Sequence, residues 1–206
     1  MTMHATFHSL VLLATTWLGT SLDAAMMPVG ADRIDIEASG NIIAVFIEGQ
    51  VAVDQVVDRL GEPGITASHL EPSSVPGWFY VDVSGLAADD GERAVVASLV
   101  QAGRVDFASD VYLAGTLGLP WTPTRDVIIG FEPGLGEQAS RDFIKAELGG
   151  VVIDEGLGGL PGTWLVQTDM VTGQQVLDRV NRLSGRGVVR FAQPDAITTH
   201  RHSLIP

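Results

Sequence analysis

Cysteine is absent from the sequence. Its absence excludes a thiol nucleophile, disulfide cross-links and every thiolate metal site. Positive charge is scarce: twelve Lys and Arg stand against twenty-five Asp and Glu, and Lys145 is the one lysine. The net charge of −13 repels phosphate backbones, so nucleic acid is not an expected partner. Histidine is rare, five in 206 residues, and forms no HExxH metal motif. No GxSxG nucleophile elbow occurs. The carboxylates are scattered, and no pair is set by its spacing for acid–base work.

What is present is apolar. Hydrophobic residues make up 46% of the chain, enough for a packed core. The run SLVLLATTWLGTSL (residues 9–22) is uncharged, has signal-peptide length and is short for a membrane span. Ala24 and Ala25 supply small residues for cleavage. Residues 1–25 are therefore read as a signal peptide and the protein as secreted or periplasmic, with no stable membrane insertion after cleavage. Residues 26–40 are read as a linker.

The rest of the chain repeats itself. NIIAVFIEG (residues 41–49) and DVIIGFEPG (126–134) both read as strands closed by glycine. Helical stripes follow: Val53, Val56, Val57 and Leu60 after the first, and Ala139, Phe143, Ile144 and Leu148 after the second. A strand pair comes next in each half. Phe79, Val81 and Val83 alternate with Tyr80 and Asp82, so that strand is expected to bury one face. Trp164 and Val166 hold the same places in the second copy. A second helix follows in each half, the later one opening at Thr172 with Gln175 three residues on, a capping-box spacing. Its stripe is Val176, Val180 and Leu183. Each half closes on a similar strand, GRVDFASD and GVVRFAQPD.

The register supports duplication. Leu99 recurs at Leu183 and Phe107 at Phe191, each 84 residues on, and Pro76 recurs 85 residues on at Pro161. Each unit reads β-α-β-β-α-β, over 41–112 and 125–196. This order predicts an α+β fold of two tandem ferredoxin-like units, each a four-stranded antiparallel sheet with two helices on one face. LAGTLGLPWTPT (113–124) is read as a Pro/Gly linker, and residues 197–206 as an extended tail.

Other candidates for chemistry are weak by pattern. PGLGEQA (133–139) has the form GxGxxA, but the strand pair after it reads as a hairpin rather than a dinucleotide-binding crossover. EGLGGLPG (155–162) lacks the Lys-Ser/Thr of a phosphate loop and reads as a hairpin turn. His69 stands near a turn and is read as structural. His200 and His202, even with Asp195, make a loose pair. No metal, no cofactor and no catalytic residue is expected.

The second half resembles a known pattern. DVIIGFEPG, AELGGVVIDE, LPGTWLVQT and VNRLSGRGVVRFAQPD, in this order, are similar to the N-terminal prodomain of subtilisin-like serine proteases of the fervidolysin-like type. The resemblance spans about 70 residues and is carried by Phe131, Pro133, Gly134, Leu148, Gly149, Gly150, Pro161, Gly162, Val189, Phe191, Ala192, Pro194 and Asp195. The first half matches more loosely, at Gly49, Leu60, Gly61, Pro76, Gly77, Val105, Phe107 and Ala108. The resemblance implies an intramolecular chaperone and temporary inhibitor. In such proteins the sheet packs on a protease catalytic domain, in cis or in trans, and the tail enters the substrate cleft. Ile197, Thr198, Thr199 and His200 are then the expected cleft-contacting residues, with 201–206 as the alternative register. These residues carry no catalytic triad, so the chain is expected to be a truncated precursor or a free-standing inhibitor rather than an enzyme. The other class open to it is a secreted ligand- or protein-binding module with its site in the groove between the two units.

Overall fold

The computed structural model describes residues 25–29, 32–61, 65–84, 91–114 and 118–198. Apart from Ala25, the expected signal peptide lies outside them, as do residues 199–206 of the expected tail. The described chain is mixed α+β. Its strands are β1 (Ala25–Val29), β2 (Asp32–Phe46), β3 (Leu70–Pro72), β4 (Trp78–Asp82), β5 (Phe107–Ala114), β6 (Leu119–Phe131), β7 (Val151–Glu155), β8 (Thr163–Gln167) and β9 (Val189–Thr198). Its helices are α1 (Val53–Leu60), α2 (Gly91–Gln101), α3 (Glu137–Leu148) and α4 (Gly173–Leu183).

All nine strands join one sheet in which every ladder is antiparallel. The first half runs β3-β4-β2-β5, and the second runs β7-β8-β6-β9. The two halves are stitched together where Tyr112 of β5 pairs with Trp121 of β6. This differs from the expectation of two separate sheets. The residues responsible are those read as linkers. Residues 26–29 belong to β1 and 32–40 to the start of β2, and 119–124 form the start of β6. Arg33-Ile34-Asp35-Ile36-Glu37 alternates charge with apolar residues, a period-two strand pattern that the linker reading passed over. In 113–124 the prolines suggested a loop. Pro123 is instead accommodated at a bulge, where the β6–β9 register shifts before Val127.

The long strands each serve two neighbours along one edge. β1 pairs with the first part of β2 and β4 with its last part, while β5 follows the opposite edge. Along β6, β5 pairs first and β8 later, with β9 opposite. The order β1-β2-β5-β6-β9 therefore forks into the two four-stranded halves. In the fork sits the start of α4. The Ala108 N–H of β5 donates to the Val171 carbonyl at 3.1 Å, and Ala108 bridges Thr172.

Helix formation follows the sequence pattern. Val56 and Leu60 of α1 are buried, and Gly61 ends the helix in the left-handed region at φ 56°. Thr172 caps α4, its hydroxyl accepting from the Gln175 N–H while Gln175 Oε1 accepts from the Thr172 N–H, both at 3.3 Å. Such a cap stabilises a helix by about 1 kcal/mol. Val176, Val180 and Leu183 are buried as expected, and Leu177 joins Ile36, Tyr112 and Trp121 in a small core under the fork. On α3 the stripe is shifted: Ser140, Ile144 and Leu148 are buried, Phe143 is partly so, and Ala139 is exposed.

The burial of β4 differs from expectation in an informative way. Phe79 and Val81 pack toward α1 and α2, but Trp78 and Tyr80 on the other face are buried too, Tyr80 at 6% exposure. The cause is the second half. Thr122 of β6 lies beside the Tyr80 hydroxyl, and Trp78, Tyr80 and Phe107 share one core with Val127, Ile129 and Val176. The first half is thus covered on both faces.

Gly173 tests the fork. A Cβ there would stand 2.7 Å from Ser109 Cβ and 2.9 Å from Pro123 Cγ. Gly173→Val is expected to lower stability by about 1–3 kcal/mol through overpacking, read from a urea unfolding midpoint. An unchanged midpoint would show that α4 can lift from the fork without loss.

Candidate functional site

The halves meet at a cleft of about 370 Å³. The first half contributes Phe46 at the end of β2, Ser74 and Val75 from the β3–β4 turn, and Trp78 opening β4. The second contributes Thr124, Arg125 and Asp126 from β6, Gln167 ending β8, and Asp195, Ala196, Ile197 and Thr198 from β9.

Local structure explains why these side chains converge. The β3–β4 turn is closed by the Ser73 N–H donating to the Trp78 carbonyl at 2.8 Å. Gly77 adopts φ 81°, and a Cβ there would stand 2.8 Å from both the Ile47 carbonyl and the Phe46 ring, so the turn needs glycine. On the other wall, the bulge in β6 brings Thr124, Arg125 and Asp126 to the register break. Thr124 Oγ1 donates to the Asp195 carbonyl at 3.2 Å and accepts from the Asp126 N–H at 3.2 Å. The Thr168 N–H and hydroxyl both donate to the Arg125 carbonyl, at 3.0 and 2.7 Å. The bulge is therefore held by its own hydrogen bonds.

The cleft carries charge of both signs. Arg125 lies over the Phe46 ring, its Cζ 5.2 Å from the centroid. Its Nε and Nη2 donate to Gln167 Oε1 at 3.2 Å. Burial pushes the Asp126 carboxyl above the usual carboxylate range; the charge of Asp195 adds to this, and Arg125 and Gln167 oppose it. Burial likewise raises Asp195, against the Ala196 backbone N–H. Asp126 Oδ1 is buried, and the Gln167 side chain is a hydrogen-bond partner of the carboxyl. Two carboxylates that interact on one wall of a cleft, beside aromatic rings and one guanidinium, can hold a charged guest. Among the described residues no histidine lines the cleft, and no group of three His, Asp or Glu gathers to hold a metal.

The residues singled out by sequence fall in three places. Ile197 and Thr198 do not leave the sheet: Ile197 is 8% exposed, pairs with Thr122 and lines the cleft, and Thr198 pairs with Trp121. The apolar side chain of Ile197 is better satisfied in the core than in an exposed tail, which moves the start of any free tail to Thr199. Thr199, His200 and 201–206 lie outside the described residues. Most of the motif residues shape turns and core. Phe131 is buried against Phe143, with centroids 5.5 Å apart, and Pro133 and Gly134 form the turn into α3. Gly149 caps α3 in the left-handed region, and the Gly162 carbonyl accepts from the Phe131 N–H at 2.9 Å after Pro161 turns the hairpin. Ala192 and Pro194 are buried, and Phe191 lies across Gly130 on the face away from the helices. Asp195 alone of the motif residues enters the cleft with its carboxyl raised. His69 is engaged locally, its Nδ1 3.1 Å from the Thr66 N–H. Asp126, Arg125, Phe46 and Trp78 were not singled out. The available signal was a charged pair, Arg125-Asp126, interrupting an otherwise uncharged strand.

No protein-family model matches the chain, and neither a curated protein nor a solved structure does. Among the described residues no helix is long and apolar enough to cross a membrane.

The raised carboxyls set a pH dependence. Their folded-state affinity for protons exceeds that of the unfolded chain, so the folded state loses stability as pH rises through the raised range. Stability is expected to increase as pH falls from 7 toward the ordinary carboxylate range. Asp195→Asn should raise the unfolding midpoint at pH 7 and flatten the gain on acidification, measured by thermal unfolding at several pH values. An identical pH profile in the variant would remove Asp195 as a source.

Proposed function

We propose that the chain is a prodomain-like protein of two ferredoxin-like units, exported from the cytoplasm, that binds a subtilisin-like serine protease as chaperone and temporary inhibitor. The strand orders β3-β4-β2-β5 and β7-β8-β6-β9 support the two-unit reading, because a βαββαβ chain with crossing helices produces this order. The observation that carries the binding assignment is an asymmetry between the halves. The helix-free face of the first half is covered by the second. The corresponding face of the second half keeps Ile128, Leu165 and Phe191 partly exposed, with Ile128 opposite Leu165 and Phe191 opposite Gly130. An apolar sheet face of this kind suits packing on a partner. The segment that would reach into a protease cleft begins at Thr199 and would bind by strand addition. The cleft between the halves favours a second reading, a binding module whose site is that cleft.

The test is inhibition of a panel of subtilisin-like proteases by the purified chain without residues 1–24. Tight inhibition is expected. Ending the chain at Thr198 should weaken it by about tenfold or more, and so should Ile128→Asp with Leu165→Asp, in each case with folding retained. Inhibition of no member of the panel, or inhibition unmoved by both changes, would overturn the assignment.

A further inference from the structure

The cleft contains more acid than base. Asp126 and Asp195 stand against Arg125, whose guanidinium is already engaged by the Phe46 ring and Gln167. One negative charge is left over between them when both carboxylates are ionised. Beside the carboxylates are apolar walls: Trp78, 7% exposed, with Phe46, Val75 and Ile197. The volume of about 370 Å³ lies at the small end of the range for small-molecule sites.

We propose that this cleft binds a primary amine carried on an apolar or aromatic body, with the ammonium at Asp126 and Asp195 and the body against Trp78, Phe46 and Ile197. An ammonium offers three donors in a compact head, which suits two neighbouring carboxylates. Aromatic faces attract the same cation. An anionic guest meets two carboxylates, and a neutral one leaves their repulsion in place. A divalent ion would need more ligands than the described residues gather. The chain's net charge of −13 raises the local concentration of cations. The inference rests on the second reading, a site between the halves, and does not need the protease.

The test titrates the full chain with phenethylamine, 2-phenylethanol and phenylacetate, which share a ring and differ in charge, followed by calorimetry and by the NMR signals of Trp78 and Ile197. Phenethylamine is expected to saturate, to shift both residues and to bind about tenfold or more tightly than the alcohol, with phenylacetate weaker still. Asp126→Asn and Asp195→Asn should each weaken the amine by about tenfold and leave the alcohol unchanged. A lysine side chain carries the same chemistry, so a capped lysine amide is titrated alongside. Whichever amine binds more tightly identifies the source, and either supports the assignment. Equal binding of all three ring compounds at Trp78 would overturn the ammonium assignment while leaving the cleft a binding site. Binding of none by the folded wild-type chain would overturn both.

Discussion

The start of α4, wedged between β5 and β6, is the contact on which the rest of the molecule depends. Gly173 allows it, because a side chain there would collide with Ser109 and Pro123. The Thr172–Gln175 cap holds the helix end in register, and the Ala108–Val171 hydrogen bond fills the ladder position that β6 vacates as it turns away. Leu177 then reaches the small core under the fork, while Val176 and Val180 reach the large one. One helix thus sets the angle between the two halves of the sheet. That angle decides both which face of the first half is covered and how wide the cleft beside Arg125 stands.

The repeat was legible because its signals are local. Leu99 and Leu183, matched by spacing alone, are buried at equivalent places, each on the second helix of its half. The capping box at Thr172 was readable for the same reason: both partners lie within one turn. Phe107 and Phe191 mark the limit. They occupy the same position in the repeat, yet Phe107 is fully buried beside Trp78, with ring centroids 5.7 Å apart, and Phe191 is only half-buried. Periodicity places a side chain on a face. It does not say whether another part of the chain will cover that face.

The same limit hid the cleft. Phe46, Arg125 and Asp195 are far apart in sequence and meet only because the sheet forks. Arg125 and Asp126 stand where the segment read as a linker meets the strand read from Asp126, and no local pattern shows what faces them. Residues 26–40, read as a linker, carry in Arg33 to Glu37 the alternation of a strand. Asp195 was picked out as a motif position, and only the fold set it near Asp126.

The fork has a consequence for how the molecule comes apart. β2 and β6 each change neighbours along their length, and β5 pairs with both, so neither half owns a complete set of edges. A duplicated chain would ordinarily give two units that melt independently. Here the loss of either half strips hydrogen bonds from strands the other requires. The two halves are expected to unfold as one cooperative unit, whose assembly waits on pairings between distant segments and is correspondingly slow.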